Sequence, residues 1–280
     1  MFDNQTTNYL LTLNSQNTHK SYSRALSSFH HWYLTTYAEE PSAELLTDVE
    51  VREWRTHLSN ACKLSATTVN LHLSAIRSLV RHYGGIITVK GMTKVMPSIS
   101  PLNGRELGRL LVATNGDGWL NKRNKAMLEL MAKAGLRVSE VAALLLTDIE
   151  IRPRLGEVLV RHGKGMKERN IPLGRQVRGA LEEYLAVRPE NESDWLFVSH
   201  THKPLSPRDI QRMVQKAIYQ AGLHRKVTPH ILRHTFATRA LRSGVDIATI
   251  SSLMGHETLT TTARYLHPDK ASVAAMVEEL

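Results

Sequence analysis

Apolar residues recur at helical spacing along most of the chain. Residues 18–37 place Tyr22, Ala25, Leu26, Phe29, Trp32 and Tyr33 on one face. Thr47-Asp48-Val49-Glu50 has the form of a capping box, with Leu46 and Val51 set as a hydrophobic staple, and predicts a second helix to about Asn60. Ser65 is placed to cap a third, whose stripe is Val69, Leu73, Ile76, Val80 and Tyr83 and which Gly84-Gly85 stops. These three helices predict a compact bundle over residues 1–85. Residues 86–102 lose the period and contain Pro97 and Pro101, so they read as a linker. The helical pattern resumes at residue 103. Leu107, Leu110 and Leu111 mark one helix, and Ala126, Met127, Leu130, Met131 and Ala134 another that ends at Gly135. Residues 157–160 and 169–172 read as two strands around a glycine-rich basic turn. Further helices are expected at about 174–188, 206–221, 229–243, 246–254 and 258–266. The expected fold class is mostly α: an N-terminal helical bundle, then an α-rich domain over 103–280 with a small antiparallel β-sheet.

Charge narrows the choice of partner. The chain of 280 residues carries 36 Lys+Arg against 26 Asp+Glu, a net charge of +10. Residues 1–85 are balanced, with 7 of each sign, so the excess lies in residues 86–280. A polyanion contacted mainly by the second part is the natural inference. The single cysteine, Cys62, excludes an internal disulfide and a CxxC metal site and fits a reducing compartment. The first residues lack a basic run followed by an apolar core, and no stretch approaches about 20 apolar residues. A cytoplasmic protein without a membrane partner is expected.

Four segments carry candidate chemistry. In Ala134-Gly135-Leu136-Arg137-Val138-Ser139-Glu140, Arg137 falls at a tight corner between helices, and its planar fork suits two phosphate oxygens. In residues 161–168, Lys164 lies between two glycines at a hairpin tip that can approach a backbone closely. In Thr228-Pro229-His230-Ile231-Leu232-Arg233-His234, an N-cap and an N1 proline open a helix whose first turn carries His230 and Arg233 three residues apart, at the positive dipole end. His230 and His234 are four apart, but Ile231 stands where a zinc-protease helix carries Glu, so no metal is expected. Last, Gly255 ends a helix, His256 follows it, and Tyr265 comes one short helix later. A phenol with its pKa near 10 attacks only where cations or a base hold the phenolate. Each segment alone also fits an ordinary surface role.

Taken together and in this order, Arg137, Lys164, His230 with Arg233, His256 and Tyr265 resemble the signature of the tyrosine recombinase (phage integrase-type) family. The surrounding words AGLRVSE, GKGMKER, HILRHTFAT and LMGHETLTTTARY resemble it too. The likeness is strongest over residues 103–267. Residues 1–85 resemble the family's core-binding, DNA-clamping bundle in pattern only. The resemblance implies a site-specific recombinase acting on double-stranded DNA with an inverted-repeat core site. Tyr265 would form a 3′-phosphotyrosyl link. Arg137 and Arg233 would hold the non-bridging oxygens, His230 would accept the tyrosine proton, Lys164 would protonate the departing 5′ oxygen, and His256 would donate a hydrogen bond. Glu140 resembles a family acid that orients the first arginine. It further implies a homotetramer working through a Holliday junction, no cofactor and no metal, and in some members accessory DNA-binding proteins. A C-terminal helix, here with Val273, Met276, Val277 and Leu280 as its stripe, docks on a neighbouring subunit. The chain opens almost directly on the bundle pattern, as in compact chromosome- and plasmid-resolving members, while Leu266–Leu280 departs from the housekeeping pattern. That points to a mobile element's recombinase, in cointegrate resolution or integration and excision. A type IB topoisomerase and a non-catalytic DNA-binding protein are the rival readings.

Overall fold

The structure, a computed structural model, describes residues 2–93, 100–161, 168–190 and 193–255. The chain divides into two compact units, Met1–Ser98 and Ile99–Leu280.

The first unit holds α1 (Phe2–Leu11), α2 (Gln16–Tyr37), α3 (Asp48–Asn60) and α4 (Ala66–His82). Two of these starts, at Thr47 and Ser65, were legible. The Thr47 hydroxyl accepts from Val49 N–H at 3.2 Å and Glu50 reaches back to Thr47 N–H at 3.1 Å, while Leu46 and Val51 are both buried. Ser65 accepts from Thr68 N–H, and Ser15 caps α2 in the same way. The aromatic stripe of α2 packs into the core, with Phe29 edge-on to Trp54 at 5.8 Å.

α1 was not expected. Its buried positions, Phe2, Gln5, Thr6, Tyr9 and Leu10, do follow helical spacing, but two of them are polar, which breaks the apolar stripe. Gln5 is inside because its Oε1 accepts Ala43 N–H at 2.9 Å. The stretch expected to be linker also differs. Ile87 and Val89 are buried in the first core. Asp48 accepts Thr88 N–H at 2.8 Å, and Asn70 exchanges two hydrogen bonds with Met92, 2.9 and 2.7 Å long. Unpaired backbone wedged against a core would be costly, so each side-chain amide or carboxylate stands in for a strand neighbour.

The second unit is built on α6 (Trp119–Lys133), which is buried on nearly every side and packs against α8 (Arg175–Leu185) and α10 (Pro229–Arg242). Before it comes α5 (Gly104–Val112), capped by Asn103 and Glu106; after it comes the five-residue α7 (Val138–Ala142). The sheet has three antiparallel strands in the order β1 (Ile149–Ile151), β2 (Gly156–Val160) and β3 (Arg169–Pro172). The register pairs Val158 with Ile149 on one side and Ile171 on the other, and Val160 with Arg169. Two strands were expected. The third is a single Ile-Glu-Ile alternation, stopped by Pro153, and too short to stand out. α9 (Pro207–Gln220), α11 (Ile247–Met254) and a single 3-10 turn at Leu146–Asp148 complete the described elements. The helix expected over 258–266 and the C-terminal helix lie outside the described residues.

The start of the second unit is tied to α10 and to the segment just before it. Thr235 Oγ1 accepts Leu102 N–H at 2.9 Å, and Arg225 donates to the Ser100 and Pro101 carbonyls at 2.9 and 2.8 Å.

Candidate active site

α6 ends at Lys133 with Ala134 as its C-cap, and Gly135 turns the chain with φ +71°, a left-handed conformation that glycine adopts without cost. A Cβ at this position would also stand 2.7 Å from Phe236 Cε1, so position 135 excludes a side chain twice over. The turn sends Arg137 to the start of α7 and aims the Gly135 carbonyl at Arg233, whose Nη1 donates to it at 2.5 Å.

Glu140 sits one turn on. Its side chain is only 4% exposed, and it serves three arginines. Oε1 accepts Arg137 Nη1 at 2.8 Å. Oε2 accepts the Arg137 backbone N–H at 2.7 Å and Arg169 Nη2 at 2.9 Å, with Arg233 Nη1 at 3.8 Å. Burial pushes the Glu140 carboxyl up, but the bonds from Arg169 and Arg137 outweigh it, and the group titrates below the ordinary carboxylate range. Three guanidiniums thus share one carboxylate, which leaves an excess of positive charge fit for an anion.

The same arginines meet the end of α11. The last carbonyls of a helix have no partner within it and carry the negative end of its dipole. Here Arg169 Nε donates to Leu253 O at 2.8 Å, Arg233 to Met254 O, and Arg137 Nη2 to Gly255 O at 2.8 Å. Gly255 closes the helix with φ +58°. Residues distant in the chain therefore converge on the corner that immediately precedes His256.

Arg137, Glu140 and Arg233 are brought together as this geometry requires. His230 stands on the first turn of α10, below Pro229 at N1, and is exposed while Arg233 is buried. The two share a turn but not a depth. Thr228 is the N-cap residue in extended conformation, yet its side chain makes no cap bond. Lys164, His256 and Tyr265 lie outside the described residues. Sequence reasoning missed Arg169. Its signal was present: it holds the inward position of β3 two residues before buried Ile171, where an apolar side chain belongs. Among the described residues no group of three or more His, Cys, Asp or Glu side chains is gathered for a metal ion, and no helix is long and apolar enough to cross a membrane.

A mostly helical two-unit chain with a three-stranded sheet and arginines gathered around one buried carboxylate defines a class, and the comparisons agree on it. The chain belongs to the phage integrase family, the tyrosine recombinases: the family's catalytic model matches residues 101–272, and its N-terminal SAM-like domain matches residues 6–86. Tyrosine recombinase XerC of Mannheimia succiniciproducens is 32% identical over 88% of this chain and 90% of its own length. XerC of Halalkalibacterium halodurans is 38% identical over 65% of this chain, a match that spans 61% of that protein. The crystal structure of XerH site-specific recombinase bound to palindromic difH substrate is 25% identical, with a TM-score of 0.77 over 94% of this chain and 80% of that one. The protein is a site-specific recombinase.

Proposed function

We propose that this recombinase cleaves and rejoins double-stranded DNA at an inverted-repeat core site through Tyr265, as a homotetramer and by way of a Holliday junction. The convergence of Arg137 and Arg233 around Glu140, at the corner before His256, carries the reading. Two guanidiniums at one place match the two non-bridging oxygens of a phosphodiester and the charge that builds up as a fifth oxygen bonds to phosphorus. Tyr265 attacks phosphorus, the bond to the 5′ oxygen breaks, and a 3′-phosphotyrosyl link remains. His230, exposed on the first turn of α10, accepts the phenol proton; Lys164 protonates the leaving 5′ oxygen; His256 donates to the phosphate. The link conserves the phosphodiester's energy, so rejoining needs only the reverse steps. The first unit, whose residues 1–85 are balanced in charge, is the core-binding domain, and the basic second unit is the catalytic one. Cytoplasmic DNA of a mobile element is the setting, on the departure of Leu266–Leu280 from the housekeeping pattern.

The test uses a core site selected by binding from a random-sequence duplex pool, nicked beside the scissile phosphate. A protein-linked band on a denaturing gel with wild type, lost in Tyr265→Phe while duplex binding persists, is the expected result. A link that survives Tyr265→Phe refutes the assignment. Relaxation of supercoiled DNA lacking the core would mark a topoisomerase instead.

A further inference from the structure

We propose that Arg169 is a positioning residue for strand cleavage: by pairing with Glu140 it balances the buried carboxylate and so keeps Arg233 from being drawn away from the scissile phosphate. The proposal rests on the reading of the site given above.

Arg169 is out of place by the logic of its strand. It pairs in register with buried Val160 and shares the inward face with buried Ile171. Its side chain is 12% exposed, so it has little reach towards a substrate. Both of its bonds instead go to parts of the site, Nη2 to Glu140 Oε2 at 2.9 Å and Nε to Leu253 O at 2.8 Å.

Glu140 explains the need. A carboxylate taken out of water must have its charge answered by bonds. Oε1 is met by Arg137 Nη1, but of the two hydrogen bonds on Oε2 only the one from Arg169 carries full charge. Arg233 Nη1, held by the Gly135 carbonyl at 2.5 Å, lies 3.8 Å from the same oxygen, outside hydrogen-bond reach of it. With Arg169 removed, the unanswered charge on that oxygen pulls Arg233 against its bonds to the Gly135 and Met254 carbonyls. Its closing to about 2.8 Å moves a guanidinium by roughly 1 Å. A displacement of that size at a reacting centre costs up to about 100-fold in rate. Leu253 O also loses its donor, which loosens the end of α11 just before His256.

The experiment compares single-turnover cleavage of two nicked duplexes. One has a normal scissile phosphodiester. The other has a methylphosphonate there, with one charged oxygen replaced by methyl. An uncharged centre asks less of Arg233. Arg169→Met should slow cleavage of the phosphodiester about 10- to 100-fold, with DNA affinity near wild type and a lower melting temperature that still leaves the chain folded under the assay. Most of that deficit should vanish on the methylphosphonate. Arg169→Lys, which keeps the charge but not the fork, should lose less and show the same narrowing. Wild-type rates in Arg169→Met overturn the proposal, as does an equal deficit on both substrates. Should Arg169→Met fail to fold, the Arg169→Lys comparison decides by the same criterion. Arg233→Ala separates the two ideas: its deficit must narrow on the methylphosphonate if the site reading holds. If it does not narrow, the site reading fails; if it narrows and the Arg169 variants do not, only the positioning role fails.

Discussion

Replacing Gly135 with alanine should cost more than any surface change of one methyl group. At φ +71° an L-residue pays about 1–2 kcal/mol for crowding between Cβ and carbonyl. The added Cβ would also lie 2.7 Å from Cε1 and 3.1 Å from Cγ of Phe236, and closer still to Cδ1. These are ring atoms near the root of the side chain, so they yield only if α10 shifts. Overpacking of this kind costs roughly 1–3 kcal/mol. Gly135→Ala should therefore lose about 2–5 kcal/mol of second-unit stability. Because two units need not melt together, the assay is native-state hydrogen exchange read on α6 and α10 amides. Gly135→Ala with Phe236→Leu should recover the packing share and leave the backbone share. Cleavage should fall as well, since the Gly135 carbonyl holds Arg233. Exchange within about 0.5 kcal/mol of wild type would refute the argument from φ and contact.

Three further outcomes are expected. The Glu140 carboxyl titrates below its unfolded value near 4.3 in the folded chain, so its contribution is present above that pH and is lost as pH falls through the lower folded value. The gap in melting temperature between wild type and Glu140→Gln should be widest above about pH 5 and shrink towards pH 3; a constant gap would contradict this. Asn70→Ala removes both bonds to Met92 and should cost about 1–3 kcal/mol, read as faster proteolysis near residues 86–93; unchanged cutting would show that this stretch is held by Ile87 and Val89 alone. DNA binding should weaken with salt, and Arg137→Ala should lower the slope of log K against log salt by about one; an unchanged slope would remove Arg137 from the phosphate contacts.

What was legible in the sequence was local. The capping box at Thr47, the stop at Gly84-Gly85, the corner at Gly135 and the proline-led start of α10 are each written within a few residues, because they depend on backbone dihedrals and nearby donors. The order Arg137, Lys164, His230, Arg233, His256, Tyr265 was equally readable as a pattern, since chemistry constrains which residue types appear. α1 was missed because its inward face includes Gln5 and Thr6, whose burial depends on a partner at Ala43, far along the chain. The end of the first unit was missed for a related reason: residues 86–93 have no period of their own and are held by Asp48 and Asn70. Arg169 was passed over because its role needs Glu140 and Leu253, one on α7 and one on α11. The sequence by itself therefore marked most of the helices and their ends, α1 excepted, and suggested the candidate reactive groups. Only the tertiary structure decided that three arginines from a corner, a strand and a helix share one carboxylate and one helix end. That outcome is set by the desolvation of Glu140 and by orphan carbonyls, quantities that do not exist until the chain has folded.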